Sequence, residues 1–523
     1  MYPLIAILTI MTTVSIANAS PKPNDVFREH VWKGPYVNAG NWQRVTDPDA
    51  SHAGAAEFLP NPVNSVTLEN LEGAVRAELY IEQWGGHAGT SAKRLRLNDN
   101  AWIDIPEPEG IPGDAGGSRE FPECYQYFTY PSVPLPLDQL TAGENSFEFT
   151  CGRQICFDFG WGQWGVYAAT FRIYYETSSP HATGHIASPT PGTTFADSLH
   201  IILEGDDDIE QVDFIGLYED YDYEGNGIYR QWHYNYRYGK IKRHLGSASE
   251  PPYAITWNTA WVPDQDEPIQ IMARVKNTDG TYYMTEAIGD LHLERTDRSV
   301  KLYKPFDVPG SWQTRADKRH RCKVFVAHDL NQATAARMIL TTWSGGHADA
   351  IGLNDSTVVD KVGGSHTYSY DEIDLPLHLI HSGTNEFFTY ARTIHHGIEV
   401  LWPGIALKVQ YAGKIEKEST AVLTTNAQPL PSNIRLLPNF PNPFNGQTNI
   451  RFELARIENI DLGIYNLAGQ RLLTLTRSQY PSGTHTLQWD GRDASGRSLS
   501  SGVYFYRLKS KNQSLSHRLL LLQ

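Results

Sequence analysis

Leu79-Tyr80-Ile81-Glu82-Gln83-Trp84-Gly85-Gly86-His87-Ala88 and Met338-Ile339-Leu340-Thr341-Thr342-Trp343-Ser344-Gly345-Gly346-His347-Ala348 are two versions of one motif. Further landmarks recur around them in the same order. Leu97-Asn98 follows the first copy and Leu353-Asn354 the second. Leu135-Pro136-Leu137 then precedes Gly143-Glu144-Asn145-Ser146-Phe147, as Leu375-Pro376-Leu377 precedes Gly383-Thr384-Asn385-Glu386-Phe387. Trp164-Gly165-Val166-Tyr167-Ala168 closes one series and Trp402-Pro403-Gly404-Ile405-Ala406 the other. A shared order with drifting loop lengths is the mark of a duplicated domain, here over 27–178 and 296–412.

Within each copy the apolar residues alternate over short runs, as in Ala77-Glu78-Leu79-Tyr80-Ile81 and Ala406-Leu407-Lys408-Val409-Gln410-Tyr411. Period two predicts half-buried β-strands. Gly-x-Asn-x-Phe reads as a turn that delivers a strand. Many short strands over such lengths predict an all-β chain of multi-domain β-sandwiches, with a jelly roll for each copy. The order of these landmarks resembles the galactose-binding-like jelly rolls. Between the copies, 183–295 opens on Ser188-Pro189-Thr190-Pro191-Gly192 and contains Asn277-Thr278-Asp279-Gly280-Thr281, read as a hairpin tip. Its pattern resembles an immunoglobulin-like sandwich.

The bulk numbers fit a multi-domain β protein. The 523 residues exceed one ordinary core, and 43 Gly with 31 Pro punctuate the chain densely. Net charge is −15 and unevenly spread. From Asn433 onward there are 11 Lys/Arg against 5 Asp/Glu, which leaves 33 against 54 in the rest. An acidic body argues against nucleic acid or an anionic membrane as a partner, and suits neutral sugars or cation binding. Leu4 to Ile16 followed by Ala17-Asn18-Ala19 reads as a secretory signal, residues 1–19. No later run reaches the roughly twenty apolar residues of a membrane helix, so no transmembrane segment is expected in the mature chain. Export permits disulfides, and of the four cysteines Cys151 is expected to pair with Cys156 or with Cys124.

Residues 413–432 are polar and aperiodic, a linker. Beyond them stand Pro441-Asn442-Pro443-Phe444-Asn445, Trp489-Asp490-Gly491-Arg492-Asp493 and Ser501-Gly502-Val503-Tyr504. This segment, 433–523, resembles the type A C-terminal sorting domains of type IX secretion, which are related to the immunoglobulin-like domain of the flagellar hook-capping protein. The resemblance implies a small sandwich that engages the secretion machinery. It also implies a protein secreted by, or held on the cell surface of, a Gram-negative-type bacterium.

Three stretches are candidates for chemistry. In the repeated motif, Trp84, His87 and Asn98, with Trp343, His347 and Asn354, form a candidate carbohydrate site. A Trp face stacks on a sugar's C–H face, and His and Asn bond hydroxyls. The competing reading makes them turn and core residues. Asp220, Asp222 and Glu224 alternate before Gly225 like half of a calcium loop, which makes Ca²⁺ the candidate cofactor. The usual closing Glu would fall at Gln231. Trp232, Tyr234, Tyr236 and Tyr238 alternate with His233 and others, as a sugar platform or a core strand would. His366, Tyr368, His395 and His396 are candidate bases for a lyase. Nucleophile elbow, zinc-protease and phosphate-loop signatures are absent.

These readings point to a non-catalytic exported protein that binds extracellular glycan or mediates adhesion, since two like domains suit multivalent binding. The alternatives are a secreted polysaccharide-degrading enzyme, lyase or glycoside hydrolase, with a site in one copy, and a structural surface-layer component.

Overall fold

The structure is a computed structural model. It describes residues 21–415 except 38–39, 109–110, 112–123, 157–159 and 395. It also describes 435–521 except 438, 440–441, 443, 445–447, 455–457, 467–469, 481–482, 494–496 and 511–513. The secretory signal and nearly all of the linker lie outside the described residues. The chain forms two compact units, Met1–Lys417 and Glu418–Gln523, and it is all-β apart from short helical turns.

In the first unit the two repeats have the same strand order. The first places Ser132–Leu135, Ala74–Trp84, Gln163–Tyr175 and Val26–Lys33 side by side, against a sheet of Val63–Leu68, Gly143–Thr150, Arg94–Leu97 and Ile103–Asp104. The second places Tyr368–Leu375, Ala333–Trp343, Ala406–Ala412 and Arg298–Tyr303 against Lys318–Val326, Gly383–Ala391, Ala350–Leu353 and Ser356–Val359. Each pair of sheets encloses its own core. Leu79, Phe147, Trp164 and Phe171 fill the first, and Trp312, Met338, Phe387 and Val409 the second.

The first repeat's sheet does not stop at its edge. Val26–Lys33 pairs with Thr281–Met284 as well as with Gln163–Tyr175, so the sheet runs on into the middle segment. There Ile269–Asn277 turns through Asp279 and Gly280 into Thr281–Met284. Gly280 has φ +84°, and Asp279 accepts the amide of Thr281 at 2.9 Å. The seam carries a buried charge network. Glu29 pairs with Arg172 at 2.9 Å and Arg274 at 2.7 Å, Arg172 reaches Glu78 at 3.1 Å, and Arg274 reaches Asp213 at 3.0 Å. Burial opposes the charge on Glu29, but the two arginines outweigh it and hold its carboxyl below the ordinary range. Removing one partner from such a network leaves a buried charge uncompensated.

The period-two reading is incomplete for the central strands. Ala77 to Trp84 are buried without a break, and so are Gln163 to Tyr174. Their second faces are covered by an aromatic layer including Phe27, Tyr80, Trp84, Phe128, Tyr167, Tyr236 and Trp343. Alternation marks one solvated face; here tertiary packing covers that face too.

The cysteine expectation is corrected. Cys124 pairs with Cys156, and Cys151 is a free, buried thiol. Cys151 follows the strand Gly143–Thr150 and joins the buried core of the first repeat, with Sγ 3.9 Å from the Val45 carbonyl oxygen.

The second unit packs Arg435–Leu436, Thr448–Leu454 and Gly483–Trp489 with a sheet of Arg471–Tyr480, Glu458–Tyr465, Gly502–Lys509 and Ser514–Leu521. Tyr504, Tyr506 and Leu508 point to its core while Val503, Phe505 and Arg507 do not. Trp489 is buried and donates from Nε1 to the Arg492 carbonyl at 2.9 Å, which closes the Trp-Asp-Gly-Arg turn.

Candidate functional site

The repeated tryptophans are not exposed platforms. Trp84 is 4% exposed and Trp343 6%. They lie face to face, ring centroids 4.3 Å apart and planes 9° from parallel. Each indole N–H is satisfied by the other repeat: Trp84 donates to Glu399 at 3.1 Å, and Trp343 to the Tyr167 hydroxyl at 2.8 Å. The sugar-stacking expectation is therefore corrected, because the faces it needs are occupied by each other. Glu399 itself is buried between Trp84 and Gln313, and burial pushes its carboxyl up to about 8.

Asn98 and Asn354 are turn residues. They hold φ of +45° and +48°, a region Asn tolerates better than most residues. Asn98 donates to the Gln139 carbonyl and to Asn145, and accepts the Ser146 amide. Asn354 repeats this with the Leu379 carbonyl, Asn385 and the Glu386 amide. Their side chains tie the turn together, so the binding assignment is corrected for them as well. His87 packs edge-on to Trp161 at 4.7 Å and bonds its carbonyl through Nδ1. Burial lowers its pKa to about 4. Gly86, at φ +64°, lies so close to Gln163 that a Cβ there would stand 2.1 Å from its carbonyl oxygen.

His347 is placed differently. Its ring centroid is 5.3 Å from that of His366 and 5.7 Å from that of His396, and the last two are 4.6 Å apart. His395 lies outside the described residues. Among the described residues, no group of three or more His, Cys, Asp or Glu side chains is arranged to hold a metal ion. The three carboxylates of the calcium-loop reading have partners within the fold. Asp220 pairs with Lys408 at 2.6 Å. Asp222 accepts the amides of Asn226 and Gly227, and burial pushes its carboxyl up to about 7. Burial, reinforced by Asp222, raises Glu224 well above the usual carboxylate range. These three groups cap a turn and pair a lysine.

What the fold does assemble is a cleft of about 310 Å³, within the size range of ligand sites. One wall is the hairpin of Asn235–Arg237 and Lys240–Lys242 from the middle segment. The others are Tyr130 of the first repeat and the start of the strand Tyr368–Leu375 of the second. Tyr130, Tyr236, Tyr368 and Tyr370 supply aromatic surface. Arg237 lies over Tyr238 at 4.5 Å and Tyr368 at 5.6 Å, and Arg243 over Tyr370 at 3.5 Å. The alternation expected over 229–238 is broken at Tyr234, between the strands Arg230–His233 and Asn235–Arg237. Asn235, Tyr236 and Arg237 thus all line the cleft. The signal that was legible in the sequence is the density of Tyr and Arg over 229–243; Tyr368 enters the sequence reading only as a candidate base, and Tyr130 carries no motif.

Residues 439–514 match the FlgD Ig-like domain family. No curated protein matches the chain. Among solved structures, the chain is similar to dimeric latent PorU from Porphyromonas gingivalis at 12% identity, covering 67% of this chain and 35% of that one, with a TM-score of 0.18. It is similar to PorZ, a surface component of the type-IX secretion system of the same organism, at 17% identity over 22% of this chain and 14% of that one, TM-score 0.13. It is also similar to a β-porphyranase of glycoside hydrolase family 86 from Bacteroides plebeius at 12% identity, covering 46% and 38%, TM-score 0.20. The chain thus spans about a third or less of the length of the first two. Among the described residues no helix is long and apolar enough to cross a membrane.

Proposed function

We propose that this is an exported, non-catalytic surface protein that holds an extracellular glycan in the tyrosine-walled cleft. Its C-terminal immunoglobulin-like domain presents it to the type IX secretion machinery. The observation that carries the reading is the cleft itself: four tyrosines and polar side chains converge there from three separate stretches of chain. Tyrosine offers an apolar face to sugar C–H groups at low entropic cost. The match of residues 439–514 to the FlgD Ig-like family supports the addressing role, as do the Trp489-Asp490-Gly491-Arg492-Asp493 and Ser501-Gly502-Val503-Tyr504 motifs.

The test is a glycan array probed with the full chain. Bound glycans are expected to lose affinity for the Tyr368→Ala protein, while its far-ultraviolet circular dichroism stays that of the parent. An array without a single bound glycan sinks the reading. Reducing-end and unsaturated-product assays on the bound polysaccharides are expected to show no turnover. In a type IX-secreting host, deleting 433–523 is expected to leave the protein inside the cell.

A further inference from the structure

The cleft is more selective than its tyrosines alone require. It combines three cations, Arg237, Lys242 and Arg243, with the amide of Asn235. Among the described residues, none of the three cations pairs with a carboxylate: Arg237 donates to the Thr367 hydroxyl at 3.0 Å, and the guanidinium groups of Arg237 and Arg243 lie on tyrosine rings. Asn235 is 3% exposed, yet its Nδ2 has no acceptor, and Arg237 Nη1 has none either. Buried polar groups are nearly always hydrogen-bonded, so two unpartnered donors lining one cleft ask for an acceptor from outside. Glu82, a carboxylate near Arg237, is engaged with the amides of Tyr238 and Gly239 at 2.8 Å, and burial raises its pKa although these bonds and Arg237 oppose the rise. Cationic density here stands against a body whose residues before Asn433 carry 33 Lys/Arg and 54 Asp/Glu. A local positive site on an acidic protein binds anions by geometry, since the field of the whole molecule repels them.

We infer that the cleft takes an anionic sugar, with a carboxylate or sulfate oxygen accepting from Arg237 and Asn235, Arg243 and Lys242 alongside, and the sugar ring against the tyrosines. The inference rests on the glycan reading above and names its ligand class. Guanidinium is the side chain suited to both oxyanions, and the aromatic walls add what a bare anion would not use.

The test titrates the full chain with polygalacturonate, dextran sulfate and neutral dextran of matched length. At least one of the two anionic polymers is expected to bind about ten-fold or more tightly than dextran, and its affinity to fall as salt is raised from low to physiological strength. Binding of polygalacturonate alone assigns a carboxylate, and of dextran sulfate alone a sulfate. Lys242→Glu, at an exposed position, is expected to weaken that binding several-fold with an unchanged melting temperature, and Arg243→Gln to weaken it further. Three outcomes overturn the inference. Anion binding that ignores both substitutions belongs elsewhere on the chain, including its basic C-terminal part. Array glycans that are bound equally well when neutral, without salt dependence, leave the glycan reading standing and remove the charge requirement. No binding to any polymer or array glycan removes both.

Discussion

In the first repeat the histidine after the glycine pair, His87, is packed on Trp161 and bonded to its carbonyl. In the second, His347 meets His366 and His396 instead, and its Nε2 finds no partner among the described residues. The tryptophans of the same motif share one contact, because each is the other's stacking neighbour, although their indole N–H groups reach different acceptors. Asn98 and Asn354 are alike for a third reason, since each ties its own turn with the same set of bonds. A duplicated motif thus stays the same where backbone geometry or mutual packing requires it, and diverges where the surroundings differ. For the tryptophans and the asparagines, retention in both copies marks a demand of the fold; for the histidine it does not. The cleft supports this, because Tyr130 and Tyr368 belong to no repeated landmark.

The largest expected effect comes from breaking the Trp pair. Trp84→Ala and Trp343→Ala are each expected to destabilise the first unit by about 3–5 kcal/mol in chemical denaturation, as buried aromatic truncations do. The double substitution is expected to cost clearly less than the sum, because the partners share one contact. Exact additivity, or a cost under about 1 kcal/mol for either, would break the pairing argument.

Next is the asymmetry between the groups that receive the two indoles, Glu399 and the Tyr167 hydroxyl. The Glu399 carboxyl titrates at about 8 in the folded chain against an ordinary 4.5. A raised carboxyl favours the folded state below pH 4.5, and that stability is lost as pH rises toward 8. Stability measured from pH 4.5 to 8.5 should fall, by about 2–4 kcal/mol from this group at one pKa unit per 1.36 kcal/mol, discounted for relaxation. Glu399→Gln should remove that slope, and Tyr167→Phe should leave it. An unchanged slope in Glu399→Gln would place the titration elsewhere, among the other carboxyls that burial raises: Asp222, Glu224 and Glu82.

Asn98→Ala and Asn354→Ala should cost about 1–3 kcal/mol each, from lost bonds and a left-handed backbone without Asn. The two values should agree within about half a kcal/mol, which sharpens the claim that these turns are equivalent. The smallest effect separates the histidines. His87→Ala should cost about 1 kcal/mol or more through lost packing and a lost bond, while His347→Ala should stay within about 0.5 kcal/mol. Equal losses would show that the divergence of the motif has no energetic content.

The sequence by itself determined the duplication, the all-β class, the hairpin tip at Gly280, and the strand landmarks of the C-terminal domain. All of these are local: they follow from side-chain period, from the backbone angles glycine and asparagine tolerate, and from contacts within a few residues. Only the tertiary structure decided that Trp84 faces Trp343, that Cys124 rather than Cys151 meets Cys156, that the central strands lose their solvated face, and that Tyr130, Asn235 and Tyr368 share a cleft. Each of these joins residues tens to hundreds of positions apart. Their meeting is set by how apolar sheet faces are buried against one another, and a period read along the chain shows that a face is apolar without showing what will cover it.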